Sequence, residues 1–295
     1  MFLFLLSVAL SIPGVQTRLA KTLTNNLNET YQTDIVIKRV DLSFLGTVQL
    51  KGVEVRDHHK DTLLFVDQLS TSLLNARKVM NSDVNLGTVS LKGVNFYMKT
   101  YKGEKDDNLT TFIDRFETEE PIDTLSSSFL LNSASIYIEG LNYKLIDENK
   151  ENPISFSALN GGGSLNSLKI EGPNVYAKVR GLYFLDDRGI DFTNLTTDFT
   201  YTKTHMLFQN TTIETAGTKL NAEISFKYKR EDLPFFVDKV TVEALFKESK
   251  FSLVDLHKLY DELESDEILN FSGSMKGTLN NFVAKDFKLT SDSGI

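Results

Sequence analysis

The alternation of apolar and polar residues is the feature that most constrains the fold of this 295-residue chain. From about residue 32 onward, apolar side chains recur at every second position, as at Ile35 and Ile37 and then at Val40 and Leu42. This period is typical of β-strands that bury one face. Similar runs recur later in the chain, at 175–184, 220–228, 237–246 and 282–289. The chain is therefore predicted to be mainly β.

One short segment occurs twice almost unchanged. Residues 45–53 read LGTVQLKGV and return at 86–94 as LGTVSLKGV, so one position in nine differs. Weaker copies occur at 136–141 and 168–173. The glycines of the four copies lie 41, 47 and 32 residues apart, and this irregular spacing argues against a propeller or a strict solenoid.

Each copy changes the parity of its apolar positions. Val48 and Leu50 are even-numbered, whereas Val53 and Val55 are odd-numbered, and the same change follows Lys92-Gly93 and Glu139-Gly140. One extra residue at the glycine returns the apolar side chains to the same face, as a β-bulge does, and glycine tolerates the required backbone. We therefore predict bulges at Gly52, Gly93 and Gly140 in preference to ordinary hairpin glycines.

A series of bulges would curl an elongated, antiparallel-rich sheet into an apolar trough. The residues predicted to line this trough are Val48, Leu50, Val53, Val55, Val89, Leu91, Val94, Phe96, Ile136 and Ile138.

Helical signals are few and short in the body of the chain. Three- and four-residue spacing of apolar side chains predicts helices at 109–116 and 253–263, and Ser252 with Asp255 resembles a capping box before the second. The glycine-rich stretch 160–164 lacks the Lys-Ser/Thr of a phosphate-binding loop and is interpreted as a flexible turn between strands.

The N-terminus is an apolar segment, and no charge occurs before Arg18. Its length lies near the lower limit of about 17–20 residues for a membrane-spanning helix. Neither a basic region nor a convincing cleavage site accompanies it, which favours an anchor over a cleaved signal or a buried core helix. The predicted anchor residues are Phe2, Leu3, Phe4, Leu5, Leu6, Val8, Leu10 and Ile12. An amphipathic helix is predicted at 13–29, so residues 1–31 form the anchor and exit helix and residues 32–295 the sheet region.

The composition excludes several classes of function. The formal net charge is -8, and the lysines and arginines form no basic stripe, which argues against a nucleic-acid partner. Cysteine is absent, so disulfides, thiolate metal ligands and cysteine nucleophiles are excluded together.

No catalytic constellation is recognisable in the sequence. There is no Gly-X-Ser-X-Gly motif and no serine beside a plausible base, so an enzyme, including a soluble periplasmic hydrolase, is not predicted. The only dense set of possible metal ligands is Asp57-His58-His59-Lys60-Asp61. Adjacent histidines on a strand point to opposite faces, so a solvated turn is favoured over a metal site. The acidic stretch 261–267 is interpreted as a charged helix end. No cofactor is predicted.

Several stretches taken together resemble the N-terminal region of the TamB-like branch of the AsmA family, in the form typical of Bacteroidota-type bacteria. They are PGVQ at 13–16, LN at 27–28, LSFLG at 42–46, DHHKDTL at 57–63, SKFSLVDL at 249–256 and GTLNNF at 277–282. The resemblance implies a single-pass inner-membrane protein whose bulk is periplasmic and whose concave β-surface is apolar. It also implies passage of phospholipid acyl chains between the inner and outer membranes.

The resemblance implies an alternative function as well, a scaffold or chaperone for the assembly or secretion of outer-membrane β-barrel proteins with an Omp85-type partner. Members of the family are far longer and meet that partner through a C-terminal domain. We therefore expect this chain to be truncated at its C-terminus and to lack the region that meets the partner.

Overall fold

The computed structural model describes residues 24–25, 28–42, 47–73, 83–116, 130–258 and 265–291. Within these ranges, thirteen strands form one sheet in which the spatial order of the strands follows their order in the chain. β4 and β5 pair in parallel, whereas the pairings among β1–β4 and among β7–β13 are antiparallel. The prediction of a mainly β, antiparallel-rich chain with a few short helices is confirmed.

The strands are β1 (Asp34–Leu42), β2 (Thr47–Arg56), β3 (Thr62–Leu73), β4 (Asp83–Thr100), β5 (Leu130–Asp147), β6 (Ile154–Glu171), β7 (Asn174–Asp186), β8 (Asp191–Tyr201), β9 (His205–Glu214), β10 (Lys219–Lys227), β11 (Thr241–Ser252), β12 (Ile268–Gly277) and β13 (Phe282–Ser291). The helices are α1 (Asn108–Asp114), a 3-10 helix (Arg230–Phe235), α2 (Phe236–Lys239) and α3 (Leu253–His257).

The chain divides into two compact units. Unit 1 comprises Met1–Asn160 and Asn166–Pro173, and thus contains β1–β5 with most of β6. Unit 2 comprises Gly161–Leu165 and Asn174–Ile295, and contains β7–β13.

Each strand of unit 1 from β1 to β5 contains one extra residue, and these five residues lie side by side across the sheet, at what we call the shared level. The pairings place Lys38, Gly52, Asp67, Gly93 and Gly140 side by side at this level. The three glycines have φ angles of +60°, +61° and +69°. Neither Lys38 nor Asp67 has a positive φ. Because all five strands gain the residue at the same level, none of their pairings changes register there.

The shared extra residue keeps the apolar side chains together. Ile37 lies before the level, and it packs with Val40, Val48 and Leu50, which lie beyond it. An ordinary bulge inserts a residue into one strand against its partner. Here the whole set of strands is offset together, so one face stays apolar along its length.

Unit 2 uses true register shifts instead. β7, β9 and β13 each have a residue of positive φ, namely Gly181, Asn210 and Asp286, beside a shift in register with a neighbouring strand. β11 also shifts against both neighbours, around residues 247–248. The extra residues in β7, β9, β11 and β13 therefore fall on alternate strands. β8 also gains one residue relative to β7, between residues 192 and 195.

A short helical segment borders the first strand. Residues 28–31 are helical, and the Asn28 side chain accepts a hydrogen bond from the Ile35 backbone N–H and donates one to the Ile35 carbonyl (2.9 and 3.0 Å). The amide thus occupies backbone groups of the edge strand β1. Tyr31 contacts Phe116, which follows α1, with ring centroids 4.8 Å apart.

Two local predictions are wrong. Of the run 237–246, the first residues lie in α2, and β11 begins only at Thr241. Val237 is 46% exposed, so the alternation there does not reflect a buried face. The glycine-rich stretch 160–164 is not a turn but lies inside β6. A Cβ at Gly163 would lie 2.7 Å from the Cα of Leu182, so the missing side chain allows the backbone of β7 to approach closely.

A helix is present at each of the two predicted positions, but the start of the first and the capping of the second differ from the prediction. α1 overlaps the predicted stretch 109–116 but begins one residue earlier, and Asp107 caps it by accepting a hydrogen bond from the Thr110 backbone N–H (2.8 Å). Ser252 occupies the N-cap position of α3, but its side chain makes no capping hydrogen bond. Asp255 instead accepts hydrogen bonds from the hydroxyls of Thr215 and Thr218.

The predicted anchor, residues 1–12, lies outside the described residues, as does most of the predicted exit helix. Among the residues that the structure does describe, no helix is both long and apolar enough to cross a bilayer.

Substitution of the aligned glycines tests the shared level in unit 1. Gly140→Ala should lower the free energy of unfolding by about 1–2 kcal/mol, the cost of a left-handed backbone at a residue with Cβ. Gly93→Ala should lower it further, because its Cβ would lie within 3 Å of Asp67 side-chain atoms. Chemical denaturation of the unsubstituted chain and the two variants measures these free energies of unfolding.

Gly140→Asn is the matched control, since asparagine tolerates the left-handed region better than alanine. It should retain more stability than Gly140→Ala. Equal stability of all three variants and the unsubstituted chain would contradict a required left-handed level.

Candidate functional site

The structure brings the ten residues predicted to line the trough into four neighbouring rows of unit 1. Directly paired residues of neighbouring strands share a face. The rows are Val48, Thr71, Val89 and Ile136; Leu50, Leu69, Leu91 and Ile138; Val53, Val66, Val94 and Leu141; and Val55, Leu64, Phe96 and Tyr143. The shared level of extra residues separates the second row from the third.

Burial varies from residue to residue over this face, on β4 as on its neighbours. Val89 is only 1% exposed and Val94 is also buried, whereas Leu50, Leu91 and Ile138 are half-buried. The face therefore combines a packed interior with apolar side chains that keep part of their surface.

The opposite face of the same strands is polar. It carries ion pairs between strands, such as Lys51 with Asp41 (3.3 Å) and Lys92 with Glu139 (2.9 Å). The two faces thus differ sharply in polarity, and the apolar one can cover alkyl chains or another apolar surface by the hydrophobic effect.

Sequence reasoning missed the contribution of β3 to this face. Leu64, Val66 and Leu69 complete three of the four rows. The signal was present, because Leu64 and Val66 are even-numbered and Leu69 and Thr71 odd-numbered, with Asp67 between them. It was overlooked because β3 has no glycine at the change of parity.

Unit 2 has its own apolar face, which is rich in phenylalanine. Phe199 contacts Phe208, which in turn contacts Phe226, with ring centroids 5.0 and 5.9 Å apart. These rings come from the consecutive strands β8, β9 and β10. On the last strand, β13, Phe282 is 51% and Leu289 55% exposed.

A cavity of about 780 Å³ opens on unit 2, lined by both apolar and charged side chains. Leu207, Leu245 and Val283 supply apolar surface, and the pairing Glu243–Lys276 (2.9 Å) supplies charge. None of its lining residues belongs to the set predicted from the sequence.

A polar cluster lies at one end of the unit 1 sheet, around the turn between β2 and β3. Asp57 is only 3% exposed, although it belongs to the segment predicted as a solvated turn. The turn is present, closed by a hydrogen bond from the Lys60 backbone N–H to the Asp57 carbonyl (3.1 Å). The expectation that all of it is solvated is wrong, because the Asp57 carboxylate points into the protein.

Four hydrogen bonds compensate for the burial of Asp57. The backbone N–H groups of His59 and Asp61 donate to Oδ1 (2.9 and 3.0 Å), and the Tyr101 hydroxyl and the Asn108 amide donate to Oδ2 (2.7 and 2.9 Å). These donors come from the turn itself, from the loop after β4 and from the start of α1. The carboxylate therefore holds three separate segments together.

These contacts shift two pKa values. Burial acts to raise the pKa of Asp57, but the hydrogen bonds from Asn108, Tyr101 and the two backbone N–H groups outweigh it and hold that pKa below its usual value. Burial, and hydrogen bonds to Asp57 and Asp61, raise the pKa of Tyr101 well above its usual value.

Two histidines of the turn meet one glutamate of the loop after β4. His58 Nε2 lies 2.8 Å from Glu104 Oε2, and His59 Nε2 lies 2.6 Å from Glu104 Oε1. The His59 ring stacks on Tyr101 with centroids 3.8 Å apart. The turn thus directs both histidine rings to the same carboxylate, which a continuous strand could not do.

In comparisons with protein-family models, with curated proteins and with solved structures, nothing matched this chain. The resemblance to the TamB-like branch therefore stays an expectation from sequence motifs.

Asp57→Asn tests the buried carboxylate. At neutral pH it should lower the free energy of unfolding by about 1–3 kcal/mol, because one amide oxygen cannot accept all four hydrogen bonds. A depressed folded-state pKa stabilises the protein above the unfolded pKa of about 3.9, and that stabilisation is lost as pH falls through the folded-state pKa. The difference between the two proteins should thus shrink below about pH 4. Urea denaturation at several pH values measures it.

The exposed Asp106, changed to Asn, is the control and should leave stability nearly unchanged. A stability difference between the unsubstituted chain and Asp57→Asn that stays constant down to strongly acidic pH would count against the ionised carboxylate.

Proposed function

We propose that the apolar face of unit 1 binds phospholipid acyl chains, and that the chain acts as an inner-membrane-anchored periplasmic bridge for phospholipids between the two membranes. The single observation that carries this proposal is the set of four apolar rows that continue across β2–β5 on one face. In this proposal the sheet curls into a trough with these rows inside.

The energetics favour an alkyl ligand for such a face. Each buried methylene group contributes about 0.8 kcal/mol, so a long chain laid along several rows gains a large total without directional bonds. Half-buried Leu50, Leu91 and Ile138 offer surface that such a chain would cover. The polar opposite face would stay in water.

The location rests on the sequence alone. The uncharged segment 1–12 supports a single inner-membrane helix, and the resemblance to the TamB-like branch supports a periplasmic position for the rest of the chain.

A second candidate is a scaffold for outer-membrane β-barrel proteins together with an Omp85-type partner. The observation that favours it is β13, an edge strand of the sheet that the described residues form, which is exposed from Phe282 to Thr290. The outer edge of such a strand presents backbone N–H and carbonyl groups that an incoming strand could pair with.

Photocrosslinking distinguishes the two faces of a single strand. We expect a photoreactive amino acid at Leu91 to capture radiolabelled phospholipid when the full chain is produced in a bacterial envelope. The same amino acid at Ser90 should not capture it, because Ser90 is adjacent in β4 and its side chain lies on the polar face. Capture at neither position, or equally at both, would contradict the lipid proposal.

A matched pair of charge substitutions adds a functional measurement. Leu91→Asp should abolish lipid capture by a crosslinker at Val53, because an unpaired charge costs several kcal/mol in an apolar path. Ser90→Asp should leave capture unchanged. Circular dichroism of both variants verifies that the sheet is retained. Normal lipid capture combined with loss of outer-membrane β-barrel proteins in Leu91→Asp would favour the scaffold instead.

A further inference from the structure

We propose that His58, His59 and Glu104 form a binding site for a divalent first-row transition metal ion, of which Zn²⁺ is the test case. This site is separate from the acyl-chain proposal, because it lies at the end of the sheet in the turn between β2 and β3 and in the loop after β4.

The three side chains offer a ligand set that such ions prefer. Their candidate ligand atoms, two imidazole nitrogens and one carboxylate oxygen, all lie within 4.8 Å of one another. Two histidines with one carboxylate suit zinc and related ions better than calcium or magnesium, which favour oxygen ligands alone. Three protein ligands also leave a coordination position for water.

The turn allows two adjacent histidines to direct their rings toward one ligand position. Lys60 has a φ of +65°, and the His58 and His59 rings approach each other edge to face with centroids 4.6 Å apart. Both Nε2 atoms consequently reach Glu104, each at a different carboxylate oxygen. Adjacent residues in an extended strand would direct these nitrogens apart.

Neighbouring groups hold the ligands in place. The Tyr101 ring stacks on His59, and the Tyr101 hydroxyl is fixed by its hydrogen bond to buried Asp57. Glu104 lies on a loop that Asn149 ties down, by donating a hydrogen bond to the Glu104 carbonyl (3.1 Å) and accepting one from the Gly103 N–H (2.8 Å). Groups that orient the ligands in this way raise metal affinity.

A bound ion requires all three ligand side chains to adjust. Ligand atoms of a tetrahedral zinc site with bonds of about 2.1 Å lie about 3.4 Å apart. The present distances from Glu104 to the two histidines, 2.8 and 2.6 Å, are shorter than that. Glu104 must therefore withdraw by less than about an ångström, which its partly exposed side chain allows. Any pair of ligand atoms that is farther apart than about 3.4 Å, up to the 4.8 Å limit, must approach by up to about 1.4 Å through side-chain rotation.

The affinity should be moderate. A metal ion on His58 Nε2 places the ring proton on Nδ1, and that atom is buried without a hydrogen-bond partner among the described residues. Metal-binding histidines usually donate this proton to an acceptor. We therefore expect binding in the micromolar range, together with a higher melting temperature, because the ion joins the turn to the loop.

Isothermal titration of the full chain with Zn²⁺, alongside the visible absorption of bound Co²⁺, tests the proposal. We expect one equivalent to bind. His59→Phe keeps an aromatic ring on Tyr101 but removes the ligand nitrogen, and Glu104→Gln keeps the side-chain shape but removes the charge. Each should weaken binding at least about tenfold. The control His205→Ala, in unit 2, should bind as the unsubstituted chain does.

Circular dichroism and melting without metal verify that the variants fold. If one ligand variant misfolds, the other still tests the site. The proposal is overturned if the unsubstituted chain binds no Zn²⁺, or if both ligand variants bind Zn²⁺ as tightly as it does. The cluster would be only a hydrogen-bonded network if Glu104→Gln is less stable without metal and the unsubstituted chain binds no zinc. That combination also overturns the proposal. None of these results bears on lipid capture at Leu91.

Discussion

The structure of unit 1 depends on keeping apolar side chains on one face of a sheet whose strands all contain an extra residue. A single extra residue in a strand would turn every later side chain to the other face. Because β1–β5 each take the extra residue at the same level, every strand changes together and the pairings continue in register. Glycine at three of the five positions supplies the left-handed backbone that this requires.

One end of the unit 1 sheet is held by polar contacts around a buried carboxylate. Asp57 gathers donors from a turn, a loop and a helix start, and its burial is tolerable only because four hydrogen bonds reach it. Beside it, the same turn directs two histidines to Glu104. The apolar face and the polar cluster thus occupy different parts of one unit.

Much of the fold could be predicted from local patterns, and each failure has a physical cause. Period-two alternation identified β7, β10 and β13, and short apolar spacing identified α1. The run at 237–246 misled because its first apolar residue, Val237, is exposed in α2, which follows a 3-10 helix. The glycines at 161–163 resembled a turn, yet they lie inside β6, and Gly163 allows the backbone of β7 to approach closely. The residue that a strand position faces on the next strand leaves no local signal.

The sequence by itself determined the strand-rich class, the parity changes at the repeated glycines and the polarity difference between alternate positions, since all three are properties of neighbouring residues along one strand. Only the tertiary structure decided that the parity changes of five strands, including the glycine-free β1 and β3, fall at one level. It also decided that β4 and β5 run parallel and that His58 and His59 share Glu104. These features arise from pairing between segments up to 47 residues apart, and a single strand carries no record of its partner's register.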